Sequence, residues 1–222
     1  HQPQDTNLEA VFISKTDPLG NLKWALGIAS NRRVISIKSF DTDSEGNLFV
    51  AGSGSKTLYL ESTINRNSQI PLNGETNFLL KISSDGQIIW MKQLVGTGTY
   101  SAGINSIVVA KNDDIILTGG FGGNVDFDFS NSSFMLSGLG DIYIARTNND
   151  GDFKWAKKYG GAKDLSWADV ICESPQGSIF IGGTFQDTLS FTPANTLVAN
   201  YLTYFDTIHI PLKDLFVAKF DS

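Results

Sequence analysis

The chain has 222 residues, 41% of them hydrophobic, and a formal charge of -6 from 17 Lys and Arg against 23 Asp and Glu. That is enough apolar material for a substantial core. The acidic balance, with no cluster of basic residues, excludes a surface built to neutralise nucleic-acid phosphates, and no apolar run approaches the roughly 20 residues of a membrane-spanning helix.

From the N-terminus, the run Phe12–Lys15 reads as a strand, and Gly20 sits in a turn before the Trp24 strand. Asp41–Asn47 is a polar turn leading into Leu48–Gly52, after which the chain makes an excursion through Leu58–Leu60. The pattern then restarts: Asn77–Ile82, the turn Ser83–Gly86 and Gln87–Leu94 predict a hairpin. Ile104–Ala110 and Asp114–Gly119 predict two more strands across the turn Lys111–Asp114. Asn124–Phe129 alternates strictly, with Val125, Phe127 and Phe129 on one face and Asp126 and Asp128 on the other, and reads as an outer or edge strand. The glycine pairs 119–120, 122–123 and 160–161 read as turns between strands, which lack the following helix start that a phosphate cradle needs. Ile142–Arg146, Trp155, Ser178–Gly182 and a long excursion from Thr184 to Lys213 repeat the theme, and Leu215–Lys219 begins it again.

The basic residues Lys15, Lys81, Arg146 and Lys219 recur at steps of 66, 65 and 73, the last step lengthened by the 184–213 excursion. Trp24, Trp90 and Trp155 keep the same register, as do Gly52, Gly119 and Gly183, which read as closing a strand in each unit. Four strands per unit, with no helical period, predict an all-β fold of the β-propeller type. The units run over approximately 12–77, 78–141 and 142–214, with the start of a fourth at 215–222. That makes about three blades of four antiparallel strands plus an extra strand. Three blades are fewer than the four to eight of a closed propeller, so the expectation is a part of a larger propeller, completed by the rest of a longer chain or by a second copy. The start at His1 instead of Met, with no signal-peptide pattern, fits a processed form or an excerpt.

The units resemble the bacterial β-propeller repeat known as the SBBP repeat. Leu215–Asp221 matches its first strand, Gly151–Lys157 with the pair 160–161 its Trp strand, Gly46–Gly52 its third element, and Val125–Asp128 its last. Asp113 and Asp114 stand where that pattern has Gly-Asn, and the first excursion offers Leu58–Leu60 in place of the last element. The resemblance implies a module of large secreted or cell-surface bacterial proteins and says nothing specific about a ligand.

Candidate chemistry is sparse. Asp41–Gly46 opens like a calcium loop, but its twelfth position is Gly52, so a polar hairpin turn is the better reading. Asp126 and Asp128 could offer oxygens to Ca²⁺, yet two carboxylates are an incomplete shell, and solvated edge charges are favoured. No other cofactor is implied. The two histidines, His1 and His209, have no acid–base partners at catalytic spacing, so no enzyme is expected. Cys172, in the apolar run 170–172, reads as a buried small hydrophobe. The periodic Trp residues read as wedges between blades. Trp167 breaks the period and, with Tyr201, Tyr204 and Phe205 of the long excursion, is the aromatic set to test for recognition. Asn131–Ser133 is a glycosylation triplet. The expectation is a non-catalytic extracellular or cell-surface scaffold that engages protein or glycan at its loop rim. A structural spacer or display module, and a fragment of a metal-dependent propeller enzyme, are the alternatives.

Overall fold

The computed structural model describes residues 9–30, 35–63, 68–97, 102–130, 132–160, 166–199, 201–204, 208–211 and 213–221. Every regular element among them is a β-strand, which agrees with the all-β expectation. The chain divides into two compact units, His1–Leu94 and Val95–Ser222.

In the first unit, β1 (Glu9–Thr16) and β2 (Leu22–Ser30) form a hairpin. β3 (Ser36–Thr42), β4 (Leu48–Ser62), β5 (Ser68–Ile82) and the first part of β6 (Ile88–Thr97) pair in sequence order as an antiparallel meander. The far half of β4 also pairs β2. Alternation on β2 buries Trp24, Leu26 and Ile28 on one face, and these pack against Val50, Phe78, Leu80 and Ile82 of β4 and β5. Each such buried aliphatic or aromatic side chain contributes about 1.5–3 kcal/mol.

In the second unit, β7 (Ser106–Val109), β8 (Ile115–Asp126), β9 (Met135–Thr147) and β10 (Phe153–Tyr159) form another four-stranded meander. β11 (Trp167–Glu173), β12 (Ile179–Phe185) and β17 (Asp214–Phe220) form a three-stranded sheet. Between β12 and β17 lie the hairpins β13 (Thr188–Thr192) with β14 (Asn195–Val198), and β15 (Tyr201–Tyr204) with β16 (Ile208–Pro211). Ile116, Ile142 and Ile144 of the meander share a buried core with Ile171, Ile179, Ile181 and Phe216 of the three-stranded sheet. Asn105 Nδ2 donates to the Ala168 carbonyl at 3.0 Å, tying β11 to the chain just before β7. Each meander takes its first hairpin from one sequence repeat and its second from the next.

Four sequence readings are corrected. Gly52, Gly119 and Gly183 do not close strands; they lie inside β4, β8 and β12, each facing a carbonyl of the neighbouring first strand or the chain leading into it. A Cβ on Gly52 would stand 2.6 Å from Ser36 O, and one on Gly119 or Gly183 would overlap the carbonyl of Gly103 or Trp167. The pairs 119–120 and 122–123 are therefore not turns, and β8 runs through both to Asp126. Asn124–Asp126 is not an edge strand either, because it pairs β9 on one side and Val95–Thr97 of β6 on the other. Cys172 is exposed, since β11 turns Ile171 inward and the next residue outward.

The turns repeat as closely as the strands. Asp17–Asn21, Asp43–Asn47, Ser83–Gln87, Asn148–Asp152 and Ser174–Ser178 each bond the first N–H to the fifth carbonyl, over 2.7–3.0 Å, and place Gly fourth with φ between 78° and 91°. The side chain of the first residue accepts the fifth N–H in all five. Ala110–Asp114 has the same backbone bonds, but Asp113 occupies the fourth position with φ 60°. Asp tolerates this left-handed conformation at a cost that Gly avoids. Asp113→Gly is expected to raise stability by about 0.5–1 kcal/mol, read as a higher urea midpoint with unchanged slope.

The periodic cation grips a turn. Lys81 Nζ lies 3.9 Å from Asp43 of the β3–β4 turn and 5.2 Å over the Phe49 ring. Arg146 Nε bonds Asp114 of the β7–β8 turn at 2.8 Å. Lys219 bonds Asp221 at 2.6 Å, and Asp221 accepts the Ser178 hydroxyl of the β11–β12 turn at 3.2 Å. The carboxylate moves along the sequence while the clasp between third strand and first turn is kept.

Candidate functional site

The long excursion is structured near its base. Leu189 of β13 and Ala199 are buried in the core of the second unit, and Phe191 stacks with Tyr159, Phe216 and Phe220 at 5.7–5.8 Å between ring centres. An isolated bridge joins Ser190 to Gly160. Farther out, Leu197 and Val198 of β14 are exposed.

Beside this hairpin a hollow of about 460 Å³ is lined by Ser137, Gly138, Leu139, Asp141, Lys158, Tyr159, Gly160 and Ser190. Asp141 stands on β9 and Lys158 on β10; the antiparallel pairing of Lys158 with Tyr143 brings the ammonium to 3.1 Å from Asp141 Oδ2. Lys158 Nζ also donates to the Ser137 carbonyl at 2.6 Å. Gly160 and Gly138 let the Asp141 carboxylate lie against the backbone, where a Cβ would crowd it. The Ser190 and Thr196 hydroxyls bond each other at 2.8 Å across β13 and β14. Burial pushes the Tyr159 phenol up, so it stays neutral and able to donate. A half-exposed ammonium, a carboxylate, hydroxyls and an aromatic edge around one concavity can orient a hydrogen-bonding ligand.

The recognition aromatics chosen from sequence are not gathered there by the described side chains. Trp167 opens β11, and its ring lies on Gly120 of β8, where a Cβ would be 2.5 Å from a ring carbon. That contact joins β11 to β8 within this unit. Tyr201 and Tyr204 lie on β15, opposite Pro211 and Ile208. Phe205 and Asn131 lie outside the described residues.

The periodic Trp residues take packing positions. Trp24 is buried against the first unit's core, with Nε1 donating to Ser84 O at 3.3 Å and Gly86 directly under its ring. Trp90 meets Phe49 at 5.8 Å, and Trp155 packs on the second unit's core with the Lys157 ammonium 5.8 Å above it.

Asp126 and Asp128 serve the loop after β8. Asp126 Oδ1 accepts the N–H groups of Asp128 at 3.0 Å and Phe134 at 2.9 Å, and Asp128 Oδ1 accepts that of Ser130 at 2.8 Å. Partial burial opposes ionisation of Asp126, but bonds from the Phe134 amide, the Ser133 hydroxyl and the Asp128 amide outweigh it and hold its pKa below the ordinary value. Asp43 acts in the same way in its turn, as the hairpin reading expected, accepting Asn47 N–H at 2.8 Å. Among the described residues no three His, Cys, Asp or Glu stand together as a metal shell.

The Asp141–Lys158–Ser190 set was missed in the sequence. Asp141 had one signal, the Asp at the matching place at the start of β17, Asp214. Lys158 and Ser190 had none, because β-pairing and the Gly160 bridge alone bring them together. No protein-family model and no curated protein matches this chain.

Proposed function

We propose that this chain is a β-propeller-type repeat region of the kind its SBBP-like repeats resemble, and that it acts as a non-catalytic extracellular or cell-surface scaffold. Two four-stranded meanders and a three-stranded sheet, with turns and cation clasps in constant register, support the propeller reading. The ligand is a protein or glycan engaged at the rim built by residues 184–213. The observation that carries this placement is the polar hollow of Asp141, Lys158 and Ser190 beside the exposed tip of β13–β14.

Residues 184–213 cannot be removed as a block in a test, because Phe185, Leu189 and Ala199 belong to the core. The informative variants are Lys158→Ala, whose ammonium is half exposed, and Leu139→Asp, whose side chain is 74% exposed. On a glycan array, and against surface-protein ectodomains by interferometry, Lys158→Ala is expected to weaken any saturable ligand at least about tenfold. Binding that ignores both substitutions would move the site elsewhere. The absence of any ligand would favour the spacer reading.

A further inference from the structure

The two ends of the repeat can be compared by adding 131 to a residue number. Ile13, Lys15, Trp24, Ile37, Phe40 and Leu48 of the first unit then correspond to Ile144, Arg146, Trp155, Ala168, Ile171 and Ile179 of the second. In the second unit, Ile144, Ala168, Ile171 and Ile179 are buried with Trp155 packed on them, and Val108, Ala110 and Ile116 from the β7–β8 hairpin complete that cluster. In the first unit the corresponding residues line an open groove of about 620 Å³. Phe40 is 66% exposed where Ile171 is 8% exposed.

The difference can be followed strand by strand. β9 is paired by β10 on one edge and β8 on the other. Among the described residues β1, its counterpart, is paired by β2 alone, and Phe12–Lys15 of β1 form one wall of the groove. The electrostatics match as well. Arg146 holds Asp114, the fifth residue of the β7–β8 turn, while Lys15 at the same register donates to the Ser84 carbonyl at 2.8 Å and is otherwise exposed.

We propose that the groove between β1 and β3 receives an aliphatic β-hairpin with an acidic turn, presented by a partner polypeptide. Its second strand adds antiparallel to the open edge of β1, its apolar face covers Ile13, Ile37, Phe40 and Leu48, and its turn carboxylate pairs with Lys15. Strand addition supplies main-chain hydrogen bonds, and the alternate side chains and the charge supply selectivity. This site is independent of the rim beside β13.

The test uses a backbone-cyclised synthetic hairpin with the sequence of residues 104–118, titrated into the full 222-residue chain. Amide exchange of β1 and Trp24 fluorescence, Trp24 being a wall of the groove, are the readouts. Saturable binding with slowed exchange at Phe12–Lys15 is expected. A hairpin with Asn in place of its Asp114 is expected to bind about fivefold to tenfold more weakly. Phe40→Asp in the protein, at an exposed position that leaves the core intact, is expected to abolish binding. No saturation at millimolar peptide, or binding unchanged by Phe40→Asp, would overturn the proposal. So would a concentration-dependent dimer of the chain that Phe40→Asp dissolves, since the occupant would then be a second copy.

Discussion

Asp114→Ala is expected to destabilise the second unit by about 2–3 kcal/mol, with Asp114→Asn costing somewhat less. The Asp114 side chain is 6% exposed and carries two cations: Arg146 Nε at 2.8 Å, and Lys154 Nζ at 2.6 and 2.7 Å from its two oxygens. Asn112 Nδ2 adds a bond at 2.8 Å. Removing the carboxylate leaves the guanidinium, 21% exposed, without its counter-ion. The figure lies at or just below the bottom of the range for broken buried pairs because the Lys154 ammonium is nearly half solvated. Replacing Asp114, Arg146 and Lys154 together by apolar residues of similar volume is expected to recover much of the loss. The pH dependence has a definite sign. Burial works against the charge on Asp114, but bonds from Lys154, Asn112 and Arg146 outweigh it and keep its pKa below 3.8. Its contribution is therefore complete above 3.8 and is lost as pH falls through the depressed folded value. Urea melts taken from neutral pH downward should show this decline in the wild type and a flatter profile in Asp114→Asn.

Gly119→Ala is expected to cost at least about 3 kcal/mol, or to prevent folding of the second unit. The new methyl group would overlap the Gly103 carbonyl, whose residue also bonds Gly120 O through its N–H at 2.9 Å and accepts the Tyr143 hydroxyl at 3.0 Å. The obstacle is backbone, so no rotamer change relieves it. Gly20→Ala is the control. At φ 85° with nothing within 4 Å of the added Cβ, it meets only conformational strain, about 1–2 kcal/mol. A loss for Gly119→Ala no larger than that for Gly20→Ala in chemical denaturation would show that the Gly103 carbonyl can move aside, and that close approach does not require glycine in this strand.

The fold class was legible because its signals are local. Alternation on β2, the apolar runs of β5 and β9, and turn residues at fixed places all act over a few positions, and repetition made each signal visible several times. Strand lengths were less legible. Gly52 and Gly119 read as stops because glycine is a common terminator, whereas here it admits a neighbouring carbonyl into the middle of a long strand. Cys172 failed for a related reason. The bulge between Ala168 and Val170 shifts the inward register of β11, so an apolar run of three residues leaves Val170 and Cys172 outside.

The candidate sites show the same division. A turn carboxylate such as Asp43 could be read from its five-residue turn, because donor and acceptor lie within four positions of each other. Lys158 with Asp141 is separated by 17 residues and depends on the β9–β10 register, and the β1–β3 groove depends on two edges meeting at a distance in sequence. By itself, the sequence determined the strands, the turns and their period, since those follow from steric and hydrogen-bonding preferences over short stretches. Only the tertiary structure decided which glycines face a carbonyl, which carboxylate each periodic cation holds, and where apolar surface stays open, because these depend on what the pairing of distant strands brings to within a few ångströms.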